Sequence, residues 1–321
     1  MKSEQTRTDS SARRSKATPI TIGSIALLLL LTLVGGRSTG ALAQLTPVAS
    51  PQASPTTGEC VAPDAAADVS GTPAAAGTPE PLTGTPVDAS VEEEVIAAAQ
   101  NFVFCYNAGD IETLGQLVTP NLLLDLFGIE DPATAGDVLA EAELLPITVL
   151  GLGDVQSYED GRFGLNLQYL LGDYQVVAAT HYFVEVDGQY LVDEEKYDAA
   201  ILDGDSTLVS LLVSDDAPLK FDQGADDAGN REVPSLPLVN AYINNTSTSQ
   251  QIYQVYALAA GSEATPISEG VADDAMLVGR LSLAPGEAAT MYLTQLPIGG
   301  YAIVGDDGTG PTLIITEPVS I

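Results

Sequence analysis

His181 and Asp125 are the two residues of this sequence whose side chains could move a proton within a pocket. His181 is the one histidine among 321 residues. It lies in an alternating segment whose same face carries three apolar residues, Val177, Ala179 and Phe183. In a closed pocket, a histidine near an aspartate can act as a general acid or base. The alternative is a core or rim histidine that makes one hydrogen bond. The sequence leaves both interpretations open.

Three acidic residues and two tyrosines stand near the histidine in sequence. Asp193, Glu194 and Glu195 are adjacent, so their side chains do not converge on one point, and we expect a solvated acidic strand end. Tyr169 and Tyr182 have alternating apolar neighbours. We therefore interpret both as packing residues that line a pocket rather than as proton donors.

Several kinds of chemistry are excluded by residue types that the sequence lacks. With two cysteines and one histidine, it has no Cys/His cluster at zinc-site spacing. It contains no Gly-Lys-Ser/Thr phosphate loop and no Gly-x-Ser-x-Gly nucleophile turn. The Gly151-Leu152-Gly153 stretch lacks a third glycine and a following helix, so it is not a dinucleotide loop. We expect neither a metal nor a cofactor.

The net charge of the chain limits the kinds of partner that it can bind. It has 11 basic against 44 acidic residues, a formal net charge of −33. Such a charge repels nucleic acid and anionic lipid, which excludes nucleic-acid binding. A small apolar ligand or an envelope protein is the expected partner, with membrane contact only through the N-terminal segment. The oligomeric state is left open.

Residues 1–43 form a basic, apolar leader. Ile20 to Val34 carries no charge and follows Arg13, Arg14 and Lys16, while Ala41-Leu42-Ala43 offers a cleavage site. This order is typical of a secretory signal peptide. The alternative is an uncleaved membrane anchor over residues 20–36. Either reading predicts an extracytoplasmic protein, secreted or anchored to the cell membrane.

Residues 44–88 have the composition of a disordered linker. They contain eight prolines among Ala, Thr, Ser and Gly, with no aromatic residue and no Lys or Arg. Such a segment cannot bury enough apolar surface to offset chain entropy. Cys60 lies in this linker and Cys105 near the end of the first predicted helix. The two could form a disulfide outside the cytoplasm, or they could remain one mobile and one buried thiol.

Residues 89–203 change from helical to strand periodicity, which predicts an α+β domain. A capping box at Ser90 and Glu93 opens the first helix, Gly109 ends it, and Asp110 caps the next. The predicted helices continue over 111–118 and 133–144. Strands are predicted over 163–171, 174–186 and 189–192, with an Asp187-Gly188 hairpin turn before the last.

Two segments of this domain resemble the NTF2-like (SnoaL-like) superfamily. They are Tyr106-Asn107-Ala108-Gly109-Asp110 and the hairpin from Tyr182 to Tyr190. The resemblance implies a cone with a pocket, which we expect Phe102, Tyr106, Tyr169 and Tyr182 to line. The superfamily includes enzymes of the ketosteroid isomerase type and non-catalytic binding modules. The tyrosine that the isomerases use as oxyanion donor falls at Phe102, which has no proton to donate, whereas Asp125 lies near their catalytic aspartate with a one-residue offset.

Residues 205–321 read almost entirely as strands, which predicts an all-β sandwich. The predicted strands are 207–213, 236–243, 251–259, 276–283, 288–294, 301–304 and 312–315. Their order and turns, including Asn244-Asn245 and Leu283-Ala284-Pro285-Gly286, resemble the cupredoxin-like fold. A cupredoxin copper site needs two His, one Cys and usually a Met. This segment has no His and no Cys: Gln250 and Gln251 stand at a ligand-His position and Gly305 at the Cys position.

The degenerate sites favour an exported or membrane-tethered, non-catalytic binding or accessory protein of bacterial type. The alternative is a small-molecule isomerase, cyclase or dehydratase that uses His181 and Asp125. A purely structural envelope protein is the third possibility. Whether the chain is an enzyme is left open, and the residues favour that it is not.

Overall fold

The computed structural model describes residues 60–62, 83–129, 131–142, 144–202, 204–259, 267, 270–272 and 274–318. All of them belong to one unit that spans Val48–Ile321. The predicted leader, the anchor over residues 20–36 and most of the linker lie outside the described residues, so these assignments stay predictions. Within the described part, no helix combines the length and hydropathy needed to cross a membrane.

Helix α1 (Ala89–Ala108) packs an apolar stripe against the sheet that follows it. The predicted capping box is wrong, because the helix begins at Ala89 and Ser90 lies inside its first turn. Asp88 is the N-cap, and its side chain makes no capping hydrogen bond. The C-terminal prediction is confirmed: Gly109 has a φ of 65°, a left-handed conformation that glycine adopts without strain.

Three shorter helices follow: α2 (Ile111–Leu114), α3 (Pro120–Phe127) and α4 (Ala135–Glu141). Asp110 caps α2 as predicted, accepting a hydrogen bond from the Thr113 amide at 3.1 Å. The prediction of one helix over 111–118 is too long. Helix α3 was not predicted; the Thr119 hydroxyl caps it, and proline occupies its first turn, where a missing N–H costs nothing.

An antiparallel sheet covers the helices. Its strands are β1 (Thr85–Pro86), β2 (Ile147–Ser157), β3 (Phe163–Leu171), β4 (Gln175–Val186) and β5 (Gln189–Tyr197). The predicted strands β3 and β4 and the Asp187-Gly188 turn between β4 and β5 are confirmed, whereas β2 was missed. Helices followed by an antiparallel sheet match the predicted α+β order, and the NTF2-like cone stays a prediction.

The rest of the described chain is a sandwich of two sheets. Its strands are β6 (Ser206–Ser214), β7 (Ala217–Phe221), β8 (Arg231–Pro234), β9 (Leu238–Asn245), β10 (Gln251–Ala257), β11 (Met276–Leu283), β12 (Ala288–Thr294), β13 (Gly299–Val304) and β14 (Thr312–Thr316). One sheet contains β12-β9-β6-β7 and the other β11-β10-β13-β14-β8. Strands β6 and β9 are parallel, as are β14 and β8. The predicted sandwich is confirmed, and this strand order is consistent with a cupredoxin-like fold.

One continuous sheet joins the two halves of the described chain. Strand β4 pairs with β12 at Val176↔Tyr292 and Gln175↔Leu293, while β5 pairs with the later part of the same edge of β4. The Tyr292 hydroxyl also donates to the Ala200 carbonyl at 2.7 Å. Each half nevertheless has its own core: one apolar cluster lies between the helices and β2–β5, and the other lies between the sandwich sheets. The domain boundaries near 203–205 stay a prediction.

Candidate functional site

A cavity lies where the helices, the antiparallel sheet and the edge of the sandwich meet. About 50 Å³ of it admits the centre of a water-sized molecule, which is room for a few waters or a small organic molecule. Both halves of the chain contribute walls. The lining residues are Phe102, Tyr106, Leu126, Phe127, Ile147, Leu167, Tyr169, Leu171, His181, Glu195, Tyr197, Arg280 and Ser282.

The Glu195 carboxylate is the centre of a buried hydrogen-bond network in this cavity. It is 8% exposed, and two tyrosine hydroxyls donate to it. The Tyr169 hydroxyl donates to Oε1 at 2.6 Å, and the Tyr197 hydroxyl donates to Oε2 at 2.8 Å. Nε2 of His181 lies 3.3 Å from Oε1. These donors replace the water that a carboxylate loses on burial.

The position of Glu195 corrects the prediction that it belongs to a solvated strand end. If the pairing of β4 and β5 continued regularly from the Asp187-Gly188 turn, Glu194 would lie opposite His181. A β-bulge between Tyr182 and Phe183 shifts the register by one residue, so that Glu195 pairs with His181 instead. Because the side chains of a strand alternate between faces, this shift brings Glu195 into the cavity. Strand β5 also continues to Tyr197, farther than predicted.

The position of Glu195 indicates which nitrogen of His181 carries the proton. Nε2 lies 3.3 Å from Oε1 of a carboxylate, which only accepts hydrogen bonds, so the contact favours the neutral ring with its proton on Nε2 and a lone pair on Nδ1. His181 is 4% exposed, and among the described residues Nδ1 has no hydrogen-bond partner. Burial lowers the pKa of the imidazole, and the nearby Glu195 opposes that shift. The ring therefore stays neutral at pH 7.

The tyrosines of the cavity stay protonated and act as donors. Burial is the main cause that raises the pKa of both Tyr169 and Tyr197 well above the ordinary value, and the charge of Glu195 is the second. Burial also raises the pKa of Tyr106 to about 12, although the charge of Arg280 lowers it in part. The Tyr106 hydroxyl makes no hydrogen bond to the described residues, which leaves it available to a bound molecule.

Arg280 brings the one positive charge among the lining residues, and it comes from strand β11 of the sandwich. Its Nη2 donates to the Leu126 carbonyl at 2.6 Å, and its guanidinium carbon lies 4.9 Å from the centre of the Phe127 ring. Both contacts fall at the C-terminal end of α3, where a cation is favourable. Burial lowers the pKa of Arg280, and nearby tyrosines and Asp306 oppose the shift.

Gln250 makes a second contact between the sandwich and helix α3. Its Nε2 lies within donor distance of the Leu124 carbonyl (2.9 Å), the Asp125 carbonyl (2.6 Å) and the Ser282 hydroxyl (3.0 Å). The last carbonyls of a helix lack a partner within it, and Gln250 satisfies one of them, the Asp125 carbonyl, whereas the Leu124 carbonyl also accepts from the Gly128 amide at 2.8 Å. Gln250 stands where the cupredoxin resemblance expects a copper-binding histidine. In this chain the glutamine at that position connects the sandwich to helix α3 instead.

The structure places the predicted catalytic pair apart. His181 lines the cavity, whereas Asp125 is not among the lining residues and forms neither a hydrogen bond nor an ion pair with His181. The Asp125 carboxylate accepts a bond from Asn121 at 3.4 Å. Burial and the neighbouring charges of Glu194, Glu287 and Asp193 raise its pKa to about 7. A catalytic role for either residue stays a prediction.

Three of the four residues predicted to line the pocket do line it: Phe102, Tyr106 and Tyr169. Tyr182 is not among the lining residues, because it follows His181 directly in β4 and points to the other face. Its ring lies 5.3 Å from that of Tyr158. The guanidinium carbon of Arg162 lies over it, 4.3 Å from its centre.

Cys60 and Cys105 form a disulfide. Asn101 ties down the segment after Cys60, because its side chain accepts from the Val61 amide (3.2 Å) and donates to the Val61 carbonyl (2.9 Å). The bridge lies one residue before Tyr106 and so fixes the segment next to a cavity wall.

Sequence reasoning missed three site residues, Glu195, Tyr197 and Arg280. The bulge obscured the first two, and no local pattern marks Arg280, because its role depends on a contact between distant segments. Gln250, Gln251 and Gly305 stand at the expected copper-ligand positions, and the described residues contain no group of three or more His, Cys, Asp or Glu that could hold a metal ion.

No protein-family model matches the sequence, and no curated protein sequence matches it. Among solved structures, reduced auracyanin from the photosynthetic bacterium Roseiflexus castenholzii is 18% identical over 35% of this chain and 99% of that chain, with a TM-score of 0.24. Auracyanin B is 13% identical over 37% of this chain and 94% of that chain, with a TM-score of 0.24. A multicopper oxidase from Campylobacter jejuni is 9% identical over 55% of this chain and 51% of that chain, with a TM-score of 0.22. TM-scores of this size carry no conclusion about this chain.

Proposed function

We propose that this chain is an exported or membrane-tethered accessory protein that binds a small organic molecule in the cavity between its two halves. Its first half is an NTF2-like module, and its second half is a copper-free, cupredoxin-like sandwich that completes the binding site. Export is supported by the leader in residues 1–43, and the NTF2-like assignment by helices packed on an antiparallel sheet.

The observation that carries this proposal is the composition of the cavity wall. Apolar side chains such as Phe102, Leu167 and Leu171 surround a small number of polar groups, which is the usual make-up of a ligand site. Two of these polar groups, the Nδ1 atom of His181 and the Tyr106 hydroxyl, make no hydrogen bond to the described residues. A bound molecule would supply their partners.

Acid–base catalysis is a second candidate function, favoured by the orientation of His181. Nε2 faces Oε1 of Glu195 at 3.3 Å, which leaves the Nδ1 lone pair able to take a proton from a substrate. Glu195 would stabilise the imidazolium formed in that step. The reaction class is proton transfer at a carbon next to a carbonyl group, as in an isomerase or dehydratase. Glu195 takes the place that sequence reasoning gave to Asp125.

A tryptophan substitution that fills the cavity tests the binding proposal. Leu126 lines the cavity, and Leu124 lies on the same helix, is half-buried and is not a lining residue. Wild type, Leu126→Trp and Leu124→Trp are screened against a library of small organic compounds by saturation-transfer NMR. We expect compounds that bind wild type and Leu124→Trp and lose binding to Leu126→Trp. Equal binding by both variants would overturn the proposal.

Hydrogen–deuterium exchange at carbon separates binding from catalysis. Small ketones and aldehydes are incubated in D₂O with wild type, His181→Gln and Glu195→Gln, and α-carbon exchange is followed by NMR. A binding protein leaves the exchange rate at its uncatalysed value in all three samples. Exchange accelerated by wild type and lost in both variants would establish the catalytic candidate instead.

A further inference from the structure

We infer that the molecule bound in the cavity is a small carboxylate, and that Arg280 is the residue that recognises it. The inference rests on the proposed function, since it names the ligand class of the same cavity. It is carried by the charges in the cavity wall, by the fixed position of Arg280 and by the size of the space.

The two charged residues of the cavity wall differ in how completely the protein supplies hydrogen-bond partners for their side chains. Glu195 receives hydrogen bonds from Tyr169 and Tyr197, and Nε2 of His181 lies 3.3 Å from its Oε1. Arg280 has no Asp or Glu within ion-pair distance among the described residues, and its buried Nε has no acceptor there. Asp306 stabilises the charge of Arg280 from beyond ion-pair distance, but a buried donor that lacks an acceptor is costly. In a chain with 44 acidic and 11 basic residues, a shortage of carboxylates does not explain the missing acceptor at Nε.

The helix contact accounts for only part of the guanidinium. Nη2 donates to the Leu126 carbonyl, which is a structural role at the end of α3. Nε takes no part in that contact. A guanidinium has its N–H donors in one rigid plane, so fixing Nη2 also fixes the direction in which Nε donates. Carboxylates and phosphates both match this planar arrangement, and the small, mostly apolar cavity favours the smaller, less charged carboxylate.

Arg280 is also held by its backbone, so it is positioned before any ligand binds. The Gln175 side chain accepts from the Arg280 amide at 2.7 Å and donates to its carbonyl at 2.8 Å. Gly279 makes this contact possible, because a Cβ there would lie 3.0 Å from Oε1 of Gln175. The Phe127 ring also packs on the guanidinium. Such preorganisation lowers the ordering cost of binding.

The other lining residues limit the size and polarity of the rest of the ligand. Ile147, Leu167 and Leu171 are apolar, and the space is small, so a short hydrocarbon chain or a single ring suits it. The Tyr106 hydroxyl, which burial keeps protonated, offers a second donor near the charge of Arg280. The ligand class is therefore a monocarboxylate with a short apolar tail.

Acid and amide pairs of equal shape test this inference on the full chain. The probes are isobutyrate with isobutyramide and benzoate with benzamide, titrated at pH 7 by calorimetry or saturation-transfer NMR. We expect each acid to bind about ten- to hundredfold more tightly than its amide, the range for a hydrogen bond to a charged group. Arg280→Gln should abolish this preference. Lys220→Gln, which removes one positive charge from an exposed site, should retain it.

The outcomes separate this inference from the proposed function. Amides that bind as tightly as acids, or a preference that survives in Arg280→Gln, would overturn the carboxylate assignment while binding in the cavity still stands. If neither class binds wild type and the tryptophan variants show no difference with any compound, both proposals fail. The comparison of acid and amide on wild type needs no variant, so it holds even if Arg280→Gln does not fold.

Discussion

Nε2 of His181 lies 3.3 Å from Oε1 of Glu195, and the two residues face each other across strands β4 and β5. The same oxygen accepts a hydrogen bond from Tyr169. One carboxylate therefore sets the orientation of both an imidazole and a phenol. The polar part of the cavity depends on Glu195 more than on any other side chain.

Replacing Glu195 by glutamine should destabilise the protein although the shape is kept. The amide NH₂ group would face a donor, either Tyr197 or the pair Tyr169 and His181, and leave it without an acceptor. Each unsatisfied buried group costs about 1–3 kcal/mol of unfolding free energy. Urea unfolding measures the loss. Glu185→Gln, an exposed change in β4, should stay within about 0.5 kcal/mol of wild type. Equal losses in both variants would contradict the network.

The buried histidine should make stability depend on pH. Burial lowers the folded-state pKa of His181 below the unfolded value of 6.5, so the unfolded chain binds the proton more readily. The stability that the neutral, buried histidine contributes is fully present above pH 6.5 and is lost as the pH falls below that value. Wild type should therefore lose stability more steeply than His181→Gln between pH 7 and pH 5, measured by urea unfolding. Parallel profiles would show that His181 takes up no proton on unfolding.

Asp125 should show the opposite dependence. Its folded-state pKa of about 7 exceeds the ordinary 3.8, so its contribution is fully present below pH 3.8 and is lost as the pH rises through about 7. Asp125→Asn should stabilise the protein at pH 8 and leave it unchanged at pH 4. We expect a gain of about 1 kcal/mol, because solvent screens this partly exposed group. Asp154→Asn, at an exposed position in β2, is the control and should leave the unfolding free energy unchanged at both pH 8 and pH 4.

Two adjacent glutamines should differ sharply in their effect on stability. Gln250 contacts the Leu124 and Asp125 carbonyls across the two halves, whereas Gln251 donates to Ser249, which is local and exposed. Gln250→Ala should cost about 1–3 kcal/mol in urea unfolding and increase amide exchange in helix α3. Gln251→Ala should cost less than about 0.5 kcal/mol. If the two variants unfold alike, Gln250 does not hold the halves together.

The Cys60–Cys105 bridge should stabilise the folded chain substantially. The two residues are 45 apart in sequence, and closing a loop of that length adds about 4 kcal/mol in the chain-entropy model. Cys60→Ser should lower the unfolding free energy by an amount of that order under non-reducing conditions. Thiol counting on denatured, unreduced wild type checks the bond directly. A count of two free thiols would rule out the bridge.

The sequence predicted the elements of the fold better than it predicted the site. Alternation placed strands β3 and β4 almost to the residue, because each has a buried face of period two. Strands β11 and β12 were also placed to the residue, as short apolar runs between turn signals, and both are buried on almost every residue. Strand β2 escaped detection because its glycines and exposed residues break that period. Helix α3 was missed because its capping threonine and first-turn proline resemble a turn.

The site could be predicted only in part, because it depends on register and on distant contacts. His181 and Tyr182 are neighbours in one strand, so only one of them can face the cavity. The bulge beside them decided that Glu195, rather than Glu194, meets His181. Arg280 reaches the cavity from a strand about a hundred residues later in the chain, and no local pattern indicates such an approach.

The pairing of β4 with β12 has a practical consequence for anyone who divides this chain. A cut near residue 204 would leave the amides and carbonyls of Val176 and Tyr292 without their strand partners. Unpaired strand edges attract other chains and lead to aggregation. The first half alone would also lack Arg280, so a negative binding result on that fragment would say nothing about the intact protein. Expression and ligand screening should therefore use the whole folded region.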